Sequence, residues 1–208
     1  MRETTTPVGD DVAAGMKRRT ILAGAAWSVP AIAVATASPA FAATTTTKKA
    51  DIQITSVQWN AQGGTSAVPA DATFNADNGL FVDATVRNNG PDTITGVSVA
   101  ISLPISAHQL DPSKSHYPEA SDGWSYYTSY DDVTVPGNRV VTFRNDSLTL
   151  APSQTATVRI KYWTTSDKGV TVDNIKPFVA FQATDPNVEE TNQSNNGEKT
   201  ANSYNVHT

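Results

Sequence analysis

The feature that most restricts the fold is a repeated alternation of apolar and polar residues, in short runs separated by clusters of Gly, Pro, Asn and Asp. The clearest run spans residues 97–103, where Val, Val, Ile and Leu lie on one side and Ser, Ala and Ser on the other. Pro104 ends this run because it lacks the N–H that a sheet requires. No segment from residue 51 onwards keeps the helical spacing of apolar residues for three turns. The pattern therefore predicts an all-β domain.

Seven to eight strands follow from this alternation, and their spacing favours two antiparallel sheets packed as a sandwich. A shift of phase at residues 55–56 predicts a bulge in the first strand. Residues 88–91 predict a turn in which Gly90 supplies a positive φ and Pro91 fixes the next φ. The predicted strands centre on residues 52–59, 82–86, 97–103, 124–130, 140–143, 155–163, 179–183 and 199–206.

Residues 1–42 have the layout of a signal peptide. A polar leader ends in the pair Arg18 and Arg19, and an uncharged stretch of small and apolar residues follows. Ala40 and Ala42 form the small-x-small site that a signal peptidase accepts, with cleavage directly after it. Two apolar residues come one position after the arginine pair, an order that resembles a twin-arginine export signal. The sequence therefore predicts export.

The alternative to a cleaved signal is a retained anchor, because the uncharged stretch is long enough to cross a bilayer. Pro30 and the many small residues favour cleavage. Residues 43–50 are polar and of low complexity, which predicts a flexible linker ahead of one domain at residues 51–206. The protein is expected to be secreted and extracellular, with the cell wall as a place of association and membrane contact only through the signal.

Charge and cysteine content exclude several functions. The chain has 15 Lys and Arg against 20 Asp and Glu, a net charge of -5. Nucleic-acid affinity comes largely from basic side chains that displace counterions, so no nucleic-acid partner is expected. The absence of Cys excludes thiolate zinc sites, iron–sulfur clusters, Cys nucleophiles and disulfides.

The sequence contains no arrangement typical of a catalytic site. His108, His116 and His207 lack the spacing that puts two imidazoles on one metal. A Gly-x-Ser-x-Gly elbow, a phosphate-binding loop and a dinucleotide-binding glycine fingerprint are all missing. An enzyme would need a polar pocket that gathers His108 and His116 with two carboxylates. We therefore expect a protein that is not an enzyme and uses no cofactor.

Aromatic residues concentrate between residues 117 and 130, and two interpretations are open. Exposed rings suit the C–H face of a sugar and nearby carboxylates suit its hydroxyls, which predicts a carbohydrate site. Alternation along a strand instead predicts that Trp124 and Tyr126, two apart on one side of a strand, pack in the core. The residues expected to bind a ligand are Asp122, Tyr127, Tyr130 and Asp131.

Acidic residues in two segments are candidates for calcium, which needs six to eight oxygen ligands. The candidates are Asp131, Asp132, Asp185 and Glu189. Neither segment has the spacing of an EF-hand loop, and solvated turns commonly carry the same residues. No metal is therefore assigned.

Several segments resemble, in order, the immunoglobulin-like "conserved repeat" domain of bacterial surface proteins and its relative CARDB, a cell-adhesion-related domain. The resemblance covers residues 50–206 and rests on sequence segments at 50–52, 86–92, 96–104, 150–158 and 185–196. It implies an immunoglobulin-like sandwich that acts as a structural or adhesive module of the cell envelope. The partner would be an envelope polymer or protein, presented with the long segment 105–138 and the turn 184–197. A binding route through an open sheet edge is a further alternative.

Overall fold

The computed structural model describes residues 46–61 and 71–208. The predicted signal peptide, with Arg18, Arg19, Ala40 and Ala42, lies outside these residues. Within them, no helix is long and apolar enough to span a membrane. The strands are β1 (Lys48–Ala50), β2 (Ile52–Ala61), β3 (Asp71–Phe74), β4 (Gly79–Asn88), β5 (Ile94–Pro104), β6 (Glu119–Ala120), β7 (Ser125–Asp131), β8 (Asn138–Leu150), β9 (Thr155–Trp163), β10 (Thr171–Ile175), β11 (Phe178–Ala183), β12 (Val188–Glu190), β13 (Gly197–Lys199) and β14 (Ser203–His207).

Two sheets form the sandwich, and their strand pairings are antiparallel. The four-stranded sheet has the order β2-β4-β9-β6, and the five-stranded sheet has the order β13-β11-β5-β8-β7. The chain crosses to the five-stranded sheet after β4, enters the four-stranded sheet briefly at β6 between β5 and β7, returns to it after β8 and crosses again before β11. One sheet takes β2, β4 and β9 and the other takes β5 and β11, as strands A, B and E and strands C and F are divided in an immunoglobulin-like domain. The predicted fold class is confirmed.

Alternation along the strands builds the core as predicted. On β5, Val97, Val99, Ile101 and Leu103 are fully buried, and Pro104 ends the strand. The predicted bulge in β2 is confirmed, because its pairing with β4 shifts register between Ile54 and Ser56. The bulge keeps the apolar residues on both sides of it facing the core.

The structure departs from the sequence prediction in its short strands: β3, β6, β10 and β12 match none of the predicted strands, and two further differences concern β1 and the last predicted strand. Lys48–Ala50 were assigned to the flexible linker, but they form β1, which pairs in parallel with β12, and Ala50 is fully buried. The single strand predicted for residues 199–206 is divided into β13 and β14. The strand β14 leaves the five-stranded sheet and forms a small sheet between β10 and β3. The polar run of β1 gives no alternation in the sequence, and the break at residues 200–202 separates two strands with different neighbours, β11 for β13 and β10 for β14.

The turn after β4 holds one end of the sandwich. Asn88 is fully buried, and its amide donates to the carbonyl oxygens of Asp92 and Leu150. The predicted positive φ at Gly90 is wrong, because Gly90 is absent from the positive-φ residues. Glycine is needed there for close approach: a Cβ would lie 2.5 Å from the Ala50 Cα. The turn therefore clamps the N-terminal strand.

The segment 184–197, expected to be an exposed loop, is attached at the same end. Glu190 accepts hydrogen bonds from the Ile52 N–H through both carboxylate oxygens, at 3.2 and 3.1 Å. Thr191 donates its N–H and its hydroxyl to the Ala50 carbonyl, each at 2.8 Å. Glu190 and Thr191 therefore stabilise this end of the sandwich, while residues 192–194 of the same segment stay exposed.

A buried polar cluster connects the other end of the sandwich. His108 is buried at 3% exposure, where its Nδ1 donates to the Pro104 carbonyl at 3.1 Å and its Nε2 accepts from the Tyr204 hydroxyl at 2.7 Å. Its ring also packs edge-on against Tyr162. Burial lowers the pKa of His108 from 6.5 to about 4, although the Pro104 carbonyl opposes the shift. The imidazole is therefore neutral at physiological pH and joins β5, β9 and β14.

Candidate binding site on the outer face of the five-stranded sheet

The face of the five-stranded sheet that points away from the core carries three rows of side chains, called here the outer face. Each row crosses from β11 through β5 and β8 to β7, because residues paired in register project to the same side. The middle row has a floor of small side chains. Row 1 is Phe178, Ser102, Val140 and Tyr130; row 2 is Ala180, Ala100, Thr142 and Thr128; row 3 is Gln182, Ser98, Arg144 and Ser125.

A bulge in β7 brings two predicted binding residues to this face. Residues three apart on a regular strand point to opposite sides. The register between β7 and β8 shifts between Tyr126 and Thr128, so Tyr127 is the extra residue of the bulge. Tyr126 pairs with the core residue Phe143, whereas Tyr127 and Tyr130 both lie on the outer face. The sequence prediction that these two tyrosines share a face needs this bulge.

Two aromatic residues border row 1. Tyr130 stands on β7, and partial burial raises its pKa together with the nearby Asp132 carboxylate, while a hydrogen bond with Thr142 opposes the shift. On the opposite side, the Phe178 ring lies over Gly197 of β13, so close that a Cβ there would be 2.4 Å from the Phe178 Cζ. Both rings are anchored to paired strands, which makes the border rigid.

The hairpin between β7 and β8 closes one end of the face. Asp132 is 6% exposed and accepts from the Ser102 hydroxyl at 2.7 Å and from the Thr134 N–H at 2.9 Å. Burial alone would raise the pKa of Asp132, but its hydrogen bonds outweigh burial and hold the pKa below its ordinary value. The turn fixed in this way projects Val133, which is 83% exposed. A Val side chain at that exposure borders the cleft without contributing to the core.

These side chains enclose a cleft of about 50 Å³ between Tyr130, Val133 and Phe178. Its floor is poorly accessible, since Val140 is 6% exposed and Ala180 is 8% exposed. The cleft admits a few water-sized groups, so a larger ligand would lie across the aromatic border rather than enter it. Towards row 3 the face opens and becomes polar.

Row 3 contains a positively charged side chain, that of Arg144. The Arg144 guanidinium carbon lies 3.4 Å from the centroid of the Tyr127 ring. Within the described part of the chain, Arg144 forms no ion pair, and its buried Nε has no hydrogen-bond partner. Lys199 pairs with Phe178 across β13 and is exposed beside row 1. Two cations therefore stand at opposite corners of the outer face.

The other predicted binding residues lie elsewhere. Asp131 follows Tyr130 and therefore points to the other side of β7, where its carboxylate pairs with Arg139 at 3.1 Å. Asp122 lies in the exposed turn before β7. Trp124 packs against the core and meets the Phe181 ring edge-on, while Tyr126 packs against Tyr117 and is 45% exposed. The predicted four-residue site is thus divided between two faces.

The acidic calcium candidates are not brought together. Asp131 pairs with Arg139, and Asp132 is enclosed in the hairpin. Asp185 accepts from the N–H and side-chain amide of Asn187, and Glu189 lies on β12 opposite Lys49. Among residues 46–61 and 71–208, no group of three His, Asp or Glu side chains is arranged to hold a metal ion.

The histidines are also separated in the structure. His108 is enclosed in the polar cluster described above, and His116 stacks on Trp163 with ring centroids 5.1 Å apart. His207 lies on β14 and pairs with Asp173 at 2.8 Å. The polar pocket that an enzyme would need, with His108 and His116 beside carboxylates, is not formed by the described residues.

Sequence reasoning missed Phe178, Arg144, Val133 and Lys199 as members of the outer face. Their strands are distant in sequence, and only strand order brings them into one surface. The register of Phe178 with Ser102 and of Arg144 with Ser98 cannot be read from composition. The three-residue spacing of Tyr127 and Tyr130 was the one local signal, and it depended on a bulge.

No protein-family model matches the chain, and no curated protein matches it. Among solved structures, the chain is similar to the CARDB domain of a Pyrococcus furiosus protein in complex with di-metal ions, at 12% identity over 74% of this chain and 88% of that chain, with a TM-score of 0.39. It is also similar to a type II cohesin domain from the cellulosome of Acetivibrio cellulolyticus, at 11% identity over 77% and 92%, with a TM-score of 0.31. AvmM, which catalyses macrocyclization in alchivemycin A biosynthesis, gives 12% identity over 75% and 89%, with a TM-score of 0.42.

These likenesses concern architecture and leave the family open. The assignment rests instead on the strand orders β2-β4-β9-β6 and β13-β11-β5-β8-β7. By that criterion the chain is an immunoglobulin-like antiparallel β-sandwich.

Proposed function

We propose that the protein is a non-enzymatic interaction module, exported from a bacterial cell, that binds a partner in the cell envelope through its outer face. The observation that carries this proposal is the outer face itself. An apolar cleft bordered by Tyr130 and Phe178 stands beside an unpaired Arg144 on paired strands of a rigid sheet. Exposed apolar surface rimmed by polar side chains is typical of interaction sites.

The histidines support a non-enzymatic role. A general base must reach a substrate, whereas the His108 nitrogens are both occupied by protein groups in the core. His116 is held against Trp163 and His207 against Asp173. The proposed module therefore acts by binding.

The place of the chain among conserved-repeat or CARDB domains forms part of this proposal. The sequence segments that carry the resemblance converge on Asn88, Gly90 and Glu190 at one end of the sandwich. Their task there is structural, so they support kinship in fold and an adhesive role only by analogy. Export by the twin-arginine route and residence at the cell wall are proposed from residues 1–42 alone.

A second candidate function, carbohydrate binding, is favoured by the β7 bulge. The bulge places Tyr127 and Tyr130 on one accessible face, where ring surfaces can support sugars. The predicted carboxylate partners Asp122 and Asp131 do not accompany them there.

The proposal is tested by co-sedimentation of the purified chain with isolated bacterial cell envelopes. A Tyr130→Ala, Phe178→Ala double variant should lose most of the bound fraction, because it removes both aromatic borders. Phe81→Ala is the matched control, since Phe81 is an aromatic residue on the outward side of the four-stranded sheet. Circular dichroism would confirm that both variants fold. Equal binding by all three proteins would contradict the use of the outer face.

A further inference from the structure

We propose that the ligand of the outer face is an acidic polysaccharide, whose sugar rings lie across Tyr130 and Phe178 and whose carboxylates bind Arg144 and Lys199. The inference rests on the proposed function, because it names the class of partner for the same surface. It differs from the carbohydrate site predicted from sequence, which relied on acidic side chains and would repel an anionic ligand.

Charge complementarity carries the first step. The chain has a net charge of -5, yet the charged side chain within the three rows is Arg144, and Lys199 flanks row 1. A second depression continues past Ser102 and Phe178 and adds Lys176. The depression also contains the Asp173 carboxylate, which forms a hydrogen bond with His207 at 2.8 Å. An arginine without a carboxylate partner in the described chain, with a lysine on the same side of the sheet, favours an anionic ligand.

The carboxylates nearest to Arg144 leave it available. Asp146 lies two residues further along β8 and is exposed, but it forms no ion pair with Arg144 in the described chain. Asp132 is enclosed by hydrogen bonds from Ser102 and Thr134. The guanidinium can therefore offer its N–H groups to an external carboxylate.

The geometry of Arg144 suits a planar carboxylate. Stacking on Tyr127 at 3.4 Å fixes the plane of the guanidinium before a ligand arrives. A carboxylate can then accept two parallel N–H bonds, which a flexible Lys cannot arrange in the same way. Pre-organisation lowers the ordering cost of binding.

The spacing of the two cations suits a polymer. Rows 1 and 3 are separated by four residues along β8, or about 14 Å, and three strand spacings separate β8 from β13, or about 14 Å. Arg144 and Lys199 are therefore about 20 Å apart diagonally, and both aromatic borders lie in row 1, the row that Lys199 flanks. A single small anion could not contact both cations.

The outer face favours a polysaccharide over other anionic polymers. A peptide that adds to a sheet would pair with an edge strand, β7 or β13, and would lie beside the outer face rather than across the paired strands β11, β5 and β8. Duplex nucleic acid requires many phosphate contacts, and this face offers few cations. Aromatic borders with flanking hydroxyl groups match sugar rings.

The experiment measures retardation of the full chain in native gels that contain polygalacturonate, alginate or hyaluronate, with carboxyl-reduced forms of the same polymers as neutral controls. We expect retardation by at least one acidic polymer, weakening as salt is raised, and little by its reduced form. Arg144→Ala should weaken the affinity about tenfold or more, and Lys199→Ala by a few fold. The matched control is Arg159→Ala, which removes an Arg from the other sheet.

Each outcome decides between the two proposals. Equal retardation by acidic and reduced polymers, with loss in Tyr130→Ala, would overturn the acidic ligand and keep the proposed function. Equal weakening by Arg144→Ala and Arg159→Ala would overturn the site as a specific one. Retardation by none of the three acidic polymers would also overturn the inference, while the envelope co-sedimentation separately decides the proposed function. Envelope binding that survives removal of polysaccharide would indicate a protein partner and overturn the inference.

Discussion

Each sheet carries an Arg above an aromatic ring on its outward side, but only one of the two Arg residues has a carboxylate partner among the described residues. On the four-stranded sheet, Arg159 lies 5.2 Å above the Phe81 ring and forms two hydrogen bonds with Asp83, each at 2.6 Å. On the five-stranded sheet, Arg144 lies 3.4 Å above the Tyr127 ring and has no carboxylate partner among the described residues. One Arg is neutralised in register, and the other is available to a ligand.

The side chains next to the two Arg residues also differ: they are polar beside Arg159 and apolar beside Arg144. Next to Arg159, the pair Thr85 and Thr157 share a hydrogen bond at 2.9 Å, so polar groups satisfy one another. Next to Arg144 the face descends into an apolar cleft. An Arg above a ring is therefore no sign of a binding site by itself; what distinguishes the two faces is whether the charge already has a partner.

Protonation of His108 should lower the stability of the whole domain, because this residue joins β5, β9 and β14. The pKa of His108 is about 4 in the folded protein and near 6.5 when unfolded, so the folded state binds fewer protons. Stability should therefore fall as pH drops from 6.5 towards 4, by about 3 kcal/mol in all. Neighbouring Tyr162 and Tyr204 stay neutral over this range. Urea unfolding at several pH values measures the loss, and His108→Gln should remove this part of it; an unchanged pH profile in that variant would contradict the assignment.

Gly197→Ala should disturb the outer face of the five-stranded sheet and leave the four-stranded sheet unchanged. The new Cβ would lie 2.4 Å from the Phe178 ring, which must leave its place at the border. We expect a loss of about 2 kcal/mol in the free energy of unfolding, as for other overpacked sites. Denaturant unfolding measures it. In a Phe178→Ala background the same substitution should cost little, and an equal cost there would show that the ring is not responsible.

Ser98→Asp should give Arg144 a carboxylate partner, as Asp83 already provides for Arg159 on the four-stranded sheet. Ser98 pairs in register with Arg144, as Asp83 does with Arg159, so the new carboxylate would neutralise the guanidinium. Affinity for the acidic polysaccharide should fall about tenfold, with little change in stability. Gel retardation compares this variant with Ser98→Asn, which has similar size without the charge. Equal affinities of the two variants would refute the role of charge.

Asp83→Asn should have the smallest effect. The pair of Arg159 with Asp83 is exposed, with side-chain exposures of 55% and 27%, so solvent screens much of its attraction. We expect a loss below about 1 kcal/mol in unfolding free energy and no new affinity for acidic polymers, because the hydrogen-bonded pair Thr85 and Thr157 lies beside this Arg. New binding by this variant would show that an unpaired Arg alone is sufficient.

The strands were predictable wherever one side is buried, because alternation then follows directly from packing. Residues 155–163 and 97–103 illustrate this, and both match observed strands. Polar or short segments gave no such signal, so β1 and the division between β13 and β14 were missed. The Gly90 position was recognised as a turn, but its reason was a close contact with Ala50 rather than its own backbone angle.

The candidate site was predictable only in part, since it depends on contacts between distant strands. Tyr127 and Tyr130 were identified from local composition, and the bulge that unites them leaves no mark in the alternation. Arg144 and Phe178 join them through register with β5, which the sequence does not encode locally. Asp131 was assigned to the site because it is adjacent in sequence, and adjacency on a strand means the opposite side.

The attachment of β1 and β2 also determines how the domain would respond to tension. The chain enters at Lys48 beside the Asn88 turn, and β2 then runs along the full length of β4 towards Leu80. A pull on the chain ahead of Lys48, along the strand axis, would load the backbone hydrogen bonds between β2 and β4 in shear, so many must break together rather than one after another. The parallel pair of β1 with β12 and the contact of Gly90 with Ala50 lie first in the path of that force. A module tethered through its N-terminal side would thus resist extension most strongly at the segment that carries its family resemblance.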